Sequence, residues 1–285
     1  MNILVTGCNG QLGKEVQNLS EMHPEHRYVF TDVAELNITN DEAVKAIVDK
    51  ENIDCIINCA AYTAVDKAES DETFAYKLNA TAPGYLAAAV QRNGGIMIHI
   101  STDYVFNGKG YLPYREDMQP NPQSAYGRTK LAGEKAVTEN CERSVILRTA
   151  WLYSPYGRNF VKTMLRLGRE REKLNVVVDQ IGTPTYARDL AKAIFAILSQ
   201  EIVSGIYHFT NEGVTSWYDF TKTIHELAGI GTCKVSPIST EEYPTPATRP
   251  HYSVLDKSKI KKAYNIEIPY WTESLKDCIA ILEKK

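Results

Sequence analysis

The chain has 285 residues, 44% hydrophobic and 24% charged, with a formal net charge of −3 at pH 7. That is enough apolar material for one large core or two smaller ones. The mild acidity argues against nucleic acid and against an anionic membrane surface, and no apolar run is long enough to predict a membrane span.

Asn2 to Thr6 reads as a strand, and nothing before it resembles a secretory leader. Gly7-Cys8-Asn9-Gly10-Gln11-Leu12-Gly13 follows, then a helix to about Leu19. Glycines at a strand-to-helix junction let the backbone turn tightly and approach a pyrophosphate, with the helix N-terminus facing its charge. Gly7, Asn9, Gly10, Gln11, Leu12 and Gly13 are therefore candidate cofactor residues. Arg27 to Thr31 is a second strand, closed by Asp32, which lies 19 residues after Gly13, where a carboxylate binds adenosine ribose hydroxyls. A carboxylate there disfavours a 2′-phosphate and points to NAD rather than NADP. Thr39-x-x-Glu42 reads as a capping box for a helix to about Glu51. Asp54 to Asn58 is a buried third strand, and Cys59-Ala60-Ala61-Tyr62-Thr63 puts small residues where a cofactor lies close. Pro83 is expected in the first turn of an alanine-rich helix. Ile96 to Ile100 is a fourth strand and Ser144 to Arg148 a fifth.

The second half is less regular. Asn159 to about Arg171 reads as a helix, Leu174 to Val178 as a strand, and Asp179 to Thr185 as a loop. Asp189 to Ser199 is a helix and Ile206 to Phe209 a strand. Pro237, Pro244, Pro246 and Pro250 mark an extended surface segment, and Thr272 to Lys285 is helical. The six cysteines form no Cys-x-x-Cys pair, as in a reducing cytoplasm. The six histidines lack metal-ligand spacing. His99 and His208 fall inside strand runs, as core or flanking residues.

Strands alternate with helices through residue 150, the pattern of a parallel α/β sheet. A Rossmann-type doubly wound sheet is expected over 1–150. A smaller C-terminal α/β substrate-binding domain is expected over 151–285, with about 174–199 returning to the first part. Ligands of such sheets bind beyond the carboxyl ends of the strands, and Gly7, Asp32, Ala60 and Thr102 all fall there. Downstream, Tyr126 and Lys130 stand four apart on a helix and share one face. A phenol beside an ammonium loses its proton more easily, and with the Thr102 hydroxyl the three groups suit proton transfer to a carbonyl or alcohol. Tyr218 and Lys222 have the same spacing, but Ser216 reads there as an N-cap, and Trp217, Phe220 and Ile224 as the packed face of an ordinary helix.

Several blocks together resemble the extended short-chain dehydrogenase/reductase family over essentially the whole chain. They are Gly7-x-x-Gly10-Gln11-Leu12-Gly13, Asn58 to Glu69, Ser101 to Phe106, Tyr126-Gly127-x-Thr129-Lys130-Leu131-Ala132-Gly133-Glu134, Asp179-Gln180-x-Gly182-x-Pro184-Thr185 and Arg249-Pro250-x-x-Ser253-x-Leu255. Within that family the resemblance is to the branch that reduces the 4-keto group of dTDP-4-dehydro-L-rhamnose with NADH or NADPH. It implies Tyr126 as the group that protonates the sugar oxygen. Lys130 would lower the Tyr126 pKa and bind the nicotinamide ribose, and Thr102 would bond the keto oxygen. Asp103, Tyr104 and Trp151 would contact substrate, with Arg249 on the diphosphate. Gly10, Gln11, Leu12, Asp32, Ala61, Tyr62 and Thr63 would line the cofactor, and Asn37 and Ile38 would frame the adenine. Rhamnose for a cell-surface polysaccharide is the implied product.

The resemblance also sets out the alternatives. One related protein is a non-catalytic regulatory subunit, but Thr102, Tyr126 and Lys130 are all in place here. An epimerase needs Cys or His on the sugar face, and residues 101–130 supply neither. Some relatives bind Mg²⁺ at a dimer interface through carboxylates. Glu15 is kept, but Arg188 stands where a glutamate would be, and a guanidinium cannot ligate a metal. That speaks against Mg²⁺ and against that dimer, leaving a monomer or another homodimer, acting on a dTDP-sugar.

Overall fold

The computed structural model describes residues 1–284. The first half runs β1 (Asn2–Thr6), α1 (Gln11–Ser20), β2 (Arg27–Thr31), α2 (Asp41–Lys50), β3 (Cys55–Asn58), α3 (Val65–Ala68), α4 (Glu72–Tyr76), a π-turn (Lys77–Thr81) and α5 (Ala82–Arg92). Then come β4 (Ile96–Thr102), a 3₁₀ turn (Asp103–Val105), α6 (Ala125–Asn140) and β5 (Ser144–Thr149). The second half runs β6 (Leu152–Tyr153), α7 (Phe160–Glu170), β7 (Lys173–Val177), β8 (Ile181–Gly182), β9 (Thr185–Tyr186), α8 (Ala187–Leu198) and β10 (Gly205–His208). It ends with β11 (Thr215–Ser216), α9 (Trp217–Leu227), β12 (Lys234–Ile238), α10 (Ser258–Tyr264) and α11 (Trp271–Glu283). Lys285, expected to end the last helix, lies outside the described residues.

Six strands form one parallel sheet in the order β10-β5-β4-β3-β1-β2. Side chains alternate between its faces. Ile3, Val5, Cys55, Ile57, Ile98, Val145 and Leu147 face α1 and α8. Leu4, Ile56, Met97 and Ile146 face α2, α5 and α6. Both faces are covered, which is why the strands read as continuous apolar runs. The strand order reverses between β1 and β3, where a crevice opens at the carboxyl edge. A third core joins α7, α9, α11, β7 and β12 in the second half.

The structure departs from the sequence expectations, or adds to them, at several points of the fold. Asn40, not Thr39, caps α2: its side chain accepts from Ala43 N–H at 3.2 Å, while Thr39 Oγ1 donates to Asn37 Oδ1 at 2.8 Å. Pro83 stands in the first turn of α5, as expected, although the π-turn joins that helix to α4 without a break. Proline lacks the N–H that would bond to the Asn79 carbonyl and crowds it, and the wider π-turn just before it relieves both problems. Pro237 lies in a strand: β12 pairs with β7 in a separate two-stranded parallel sheet, an edge setting that proline tolerates. The stretch returning to the large sheet is therefore α8 through β10, residues 187–208, rather than 174–199. α8 packs on α1 and β10 pairs with β5, whereas β7 stays with the smaller part.

Candidate active site

The loop after β1 forms the cofactor end. Gly7 has φ of +65°, and a Cβ on it would fall 2.7 Å from the Ala60 nitrogen, so only glycine lets the β1 and β3 ends meet. A Cβ on Gly13 would fall 2.3 Å from the Gly7 carbonyl oxygen, so glycine also seats α1 against the loop. Gly10 is the N-cap of α1 and offers no side-chain cap, and the first turn holds no acid, which leaves its amides free for an anion. Asp32 accepts from Asn9 N–H at 3.0 Å and Val33 N–H at 2.8 Å, holding a carboxylate at the end of β2 beside the loop. These residues fit a dinucleotide.

Other expected cofactor residues divide by what they face. The Leu12 side chain is in the core, so its backbone is what the loop offers. Gln11 Oε1 accepts from Asn159 Nδ2 at 2.9 Å, tying the loop to the second half. Ala60 and Ala61 are half-buried and Thr63 exposed. The Tyr62 N–H donates to Asn79 Oδ1 at 2.8 Å, and its ring packs near Tyr126. Asn37 makes a local turn with Thr39, and Ile38 is buried in the core with Leu4.

Tyr126 sits in the first turn of α6. Ser124 caps the helix by accepting from Gly127 N–H at 3.1 Å, and Glu69 accepts from Ala125 N–H at 2.8 Å. A Cβ on Gly127 would fall 2.2 Å from the Tyr104 carbonyl oxygen, so glycine brings α6 onto the 3₁₀ turn. The rings of Tyr104 and Tyr126 then meet edge to face at 5.5 Å. Thr102 Oγ1, at the end of β4, donates to Asp103 Oδ1 at 2.9 Å and accepts from Tyr104 N–H at 3.2 Å. Burial pushes the Tyr126 phenol above its ordinary pKa, with a hydrogen bond to Thr102 pulling the other way. Burial also raises the Asp103 carboxyl to about 6, and Asp103 Oδ2 has no partner.

Lys130 departs from expectation. It shares the Tyr126 face of α6, but its Nζ donates to the Ile100 carbonyl at 2.6 Å and lies 3.5 Å from His99 Nε2. Burial lowers its pKa to about 8. The long side chain reaches strand backbone rather than the phenol.

The substrate-side candidates converge from distant segments. Arg249 Nη1 donates to Tyr104 Oη at 3.2 Å and Nη2 to Asp66 Oδ2 at 2.7 Å, 145 and 183 residues away in sequence. Trp151 has φ of +50° and stacks on Trp217 with ring centres 3.5 Å apart. A Cβ on Gly182 would strike both Trp151 and Ser253, so that glycine makes room for the indole. The Ser253 hydroxyl opposes the rise that burial imposes on the Asp103 carboxyl. Tyr218 and Lys222 stand apart on α9, where Ser216 caps and Phe220 and Ile224 are fully buried. Sequence reasoning did not pick out Asp66, Asn79, Trp217 or Ser253 as site residues. Asp66 and Ser253 lie inside blocks already singled out, but nothing local marked their contacts.

Glu15 and Asp189 stand together where α1 packs on α8. Glu15 is buried, with the Arg188 guanidinium acting on it. Asp189 is engaged by Asn211 at 2.9 Å, Ser274 at 2.5 Å and Lys192 at 3.1 Å. Among the described residues, no group of three or more Asp, Glu, His or Cys could hold a metal.

A family model described as the RmlD substrate binding domain matches residues 1–284. The chain is 41% identical to dTDP-4-dehydrorhamnose reductase of Aggregatibacter actinomycetemcomitans, covering 99% of each. Its structure is similar to that of a dTDP-4-dehydrorhamnose reductase from Clostridium acetobutylicum, at 46% identity and TM-score 0.95, covering 99% of this chain and 100% of that one. It is also similar to the enzyme of Bacillus anthracis solved in complex with NADP, at 41% identity and TM-score 0.94, covering 98% and 99%.

Proposed function

The chain belongs to the family of dTDP-4-dehydrorhamnose reductases, and from that membership we propose how its residues carry out the reaction. It reduces the 4-keto group of dTDP-4-dehydro-L-rhamnose to dTDP-L-rhamnose at the expense of NADH or NADPH. When bound, the nicotinamide supplies the hydride. The Gly7–Gly13 loop and the α1 N-terminus hold the pyrophosphate, and Asp32 holds the adenosine ribose. Asp32 favours NADH, while a relative holds NADP, so either reduced cofactor serves as hydride donor.

Tyr126 O–H donates its proton to the sugar oxygen as the carbonyl is reduced. The Thr102 hydroxyl binds the same oxygen, which fixes the ketone against the phenol. Tyr104, Asp103 and Trp151 contact the sugar, and Arg249 takes the diphosphate as a planar fork. Lys130 lies behind Tyr126 and binds the nicotinamide ribose. The observation that carries this assignment is the Tyr126 phenol beside Thr102, at the carboxyl edge and next to the Gly7–Ala60 crevice.

The enzyme works as a monomer or homodimer in the cytoplasm, without a nucleic-acid or membrane partner, and its rhamnose goes to a cell-surface polysaccharide. All six cysteines are free thiols, which supports a reducing compartment. No helix among the described residues is long and apolar enough to cross a membrane. Chelation and Mg²⁺ repletion should leave turnover unchanged. A large loss restored by Mg²⁺ would mean that Glu15 and Asp189 rearrange to ligate it. The decisive assay follows oxidation of NADH and of NADPH with dTDP-4-dehydrorhamnose. Consumption of neither cofactor would refute the activity.

A further inference from the structure

Asp66 takes no part in the reaction as described, yet it holds the segment that carries Arg249. That segment, residues 239–250, follows β12 as a strap containing Pro244, Pro246 and Pro250. Proline has no N–H to give, so the strap has few backbone donors with which to fix itself. Its start is tied within the second half, where Asp179 accepts from the Thr240 N–H at 2.9 Å and from the Thr240 hydroxyl at 2.7 Å. Its end meets the loop after β4. Pro250 packs where a Gly108 side chain would be, and the Tyr252 N–H donates to the Gly108 carbonyl at 3.0 Å. Between these ties Asp66 accepts twice from the strap. Oδ1 takes the Ala247 N–H at 3.3 Å, and Oδ2 takes Arg249 Nη2 at 2.7 Å. Ala247 is buried, while Pro246 and Thr248 on either side of it are exposed. Asp66 stands on α3, which has its own anchors. Ala68 is fully buried in a cluster with Tyr62, Ala75 and Ala125, and Glu69 accepts from the Ala125 N–H at 2.8 Å.

We propose that Asp66 is a positioning residue for the sugar nucleotide: it pins the strap at Ala247 and holds the Arg249 guanidinium ready for the diphosphate. A guanidinium has five N–H donors. Asp66 and Tyr104 take one each, from Nη2 and Nη1, which leaves three for phosphate oxygens. An untethered arginine on a loose strap would lose its side-chain and backbone freedom when the anion binds. Asp66 removes that freedom beforehand, so less is lost on binding. As a bare ion pair the contact would do little, because Asp66 is 40% exposed and Arg249 28%. The second bond, to the Ala247 backbone, is what makes the carboxylate a tether of the chain and not only of a side chain. The Asp66 charge also repels a diphosphate, and the two effects differ in sign. Positioning makes binding weaker when the charge is removed, whereas repulsion alone makes it tighter. This role rests on the diphosphate contact proposed above for Arg249.

The test uses the purified full chain with NADH, and dTDP as the probe. Hydrogen exchange in the wild type should be slower at the Ala247 amide than at exposed Thr248, and Asp66→Ala should abolish the difference. An Ala247 amide as fast as Thr248 in the wild type overturns the proposal, and that measurement needs no variant to fold. In Asp66→Asn one of the two bonds is lost whichever way the amide turns, because its NH₂ can only donate. The Kd for dTDP should rise about tenfold, the scale of coupling between contacting residues. Asp66→Glu restores a carboxylate and should recover part of the loss. In an Arg249→Ala background Asp66→Asn should add little, since the tether acts through the arginine. A full second loss there, or tighter binding in Asp66→Asn alone, overturns the proposal. With the keto sugar, the Asp66→Asn loss should fall on KM for the sugar nucleotide rather than on kcat. The failures are distinguishable. Wild type that binds dTDP but does not reduce the keto sugar refutes the reaction and leaves the role of Asp66 standing. Unchanged dTDP binding in Arg249→Ala refutes the diphosphate contact and the role of Asp66 with it. Weakened binding in Arg249→Ala with unchanged binding in Asp66→Asn refutes Asp66 alone.

Discussion

Tyr126 and Tyr218 have the same four-residue spacing to a lysine and different surroundings. Tyr126 is packed against Tyr104 and Thr102 at the carboxyl edge, while Tyr218 lies on an amphipathic helix whose neighbours form an ordinary core. Tyr126→Phe keeps the ring and removes the proton, so kcat should fall by roughly 10²-fold or more, the scale of a lost general acid. Cofactor binding should be nearly intact, and Tyr218→Phe should leave kcat unchanged. Steady-state kinetics on both variants decide the matter, and activity within a few-fold of wild type removes Tyr126 from the mechanism. Arg249 is bound on one side to Asp66 and on the other to Tyr104. If it also grips the diphosphate, Arg249→Ala should cost about 2 kcal/mol of binding or more, as truncation of a charged hydrogen-bonding partner does. The loss should appear in KM for the sugar nucleotide and not in KM for NADH. Arg249→Lys should recover only part of it, because an ammonium lacks the planar fork. A raised KM for NADH alone would put Arg249 on the wrong ligand.

Where α1 packs on α8, Glu15 is almost fully buried, and burial pushes its carboxyl from 4.5 up to about 7, opposed by Arg188. The folded protein therefore binds more protons than the unfolded chain between these two values. Stability contributed by protonated Glu15 is complete below about 4.5 and is lost as pH rises through about 7. The shift corresponds to about 3 kcal/mol lost at high pH, to order of magnitude. Glu15→Gln keeps the shape without the charge, so it should raise Tm at pH 8 and change it little at pH 4.5. Thermal melts at both values test this, and an equal gain at both would mean that the effect is not titration. α6 illustrates another element-level constraint. Its buried Glu134–Arg148 pair, with Ser101, fixes the helix against β4 and β5, and so sets where Tyr126 and Lys130 stand.

At the scale of the molecule, a cut after residue 150 does not separate the chain into independent parts. α8 covers one face of the large sheet beside α1, and β10 closes its β5 edge. A fragment of residues 1–150 would expose the core face that Leu190, Ile194, Phe195 and Leu198 cover, and would leave β5 as an unpaired edge. Such a fragment should lack a cooperative melt and near-UV dichroism. If it melts within a few degrees of the full chain, the part formed by 187–208 is dispensable to the fold. The smaller part contributes Trp151, Trp217, Ser253 and Arg249 to the face where Tyr126 stands, so the site depends on both parts being joined.

What the sequence determined by itself was local. Glycine spacing at a strand-to-helix junction gave β1, its loop and α1. Apolar runs of strand length gave the five strands through residue 150, and Tyr126 was singled out by its place after β4. These signals work because a turn, a cap or a period of two or 3.6 residues involves neighbours a few positions apart. Tertiary structure decided what depends on contacts between distant segments. It turned Lys130 toward Ile100 and His99 rather than toward Tyr126, and it placed Asp66 and Arg249 together across 183 residues. It stacked Trp217 on Trp151 and brought residues 187–208 back to the large sheet. The Asn58 amide is the sharpest case, because an Ala60 N–H and the Thr6 hydroxyl fix its oxygen and turn its nitrogen to His99 on the neighbouring strand. No spacing within a strand encodes that bond, since strand register, which is set only when the sheet assembles, chooses the partner.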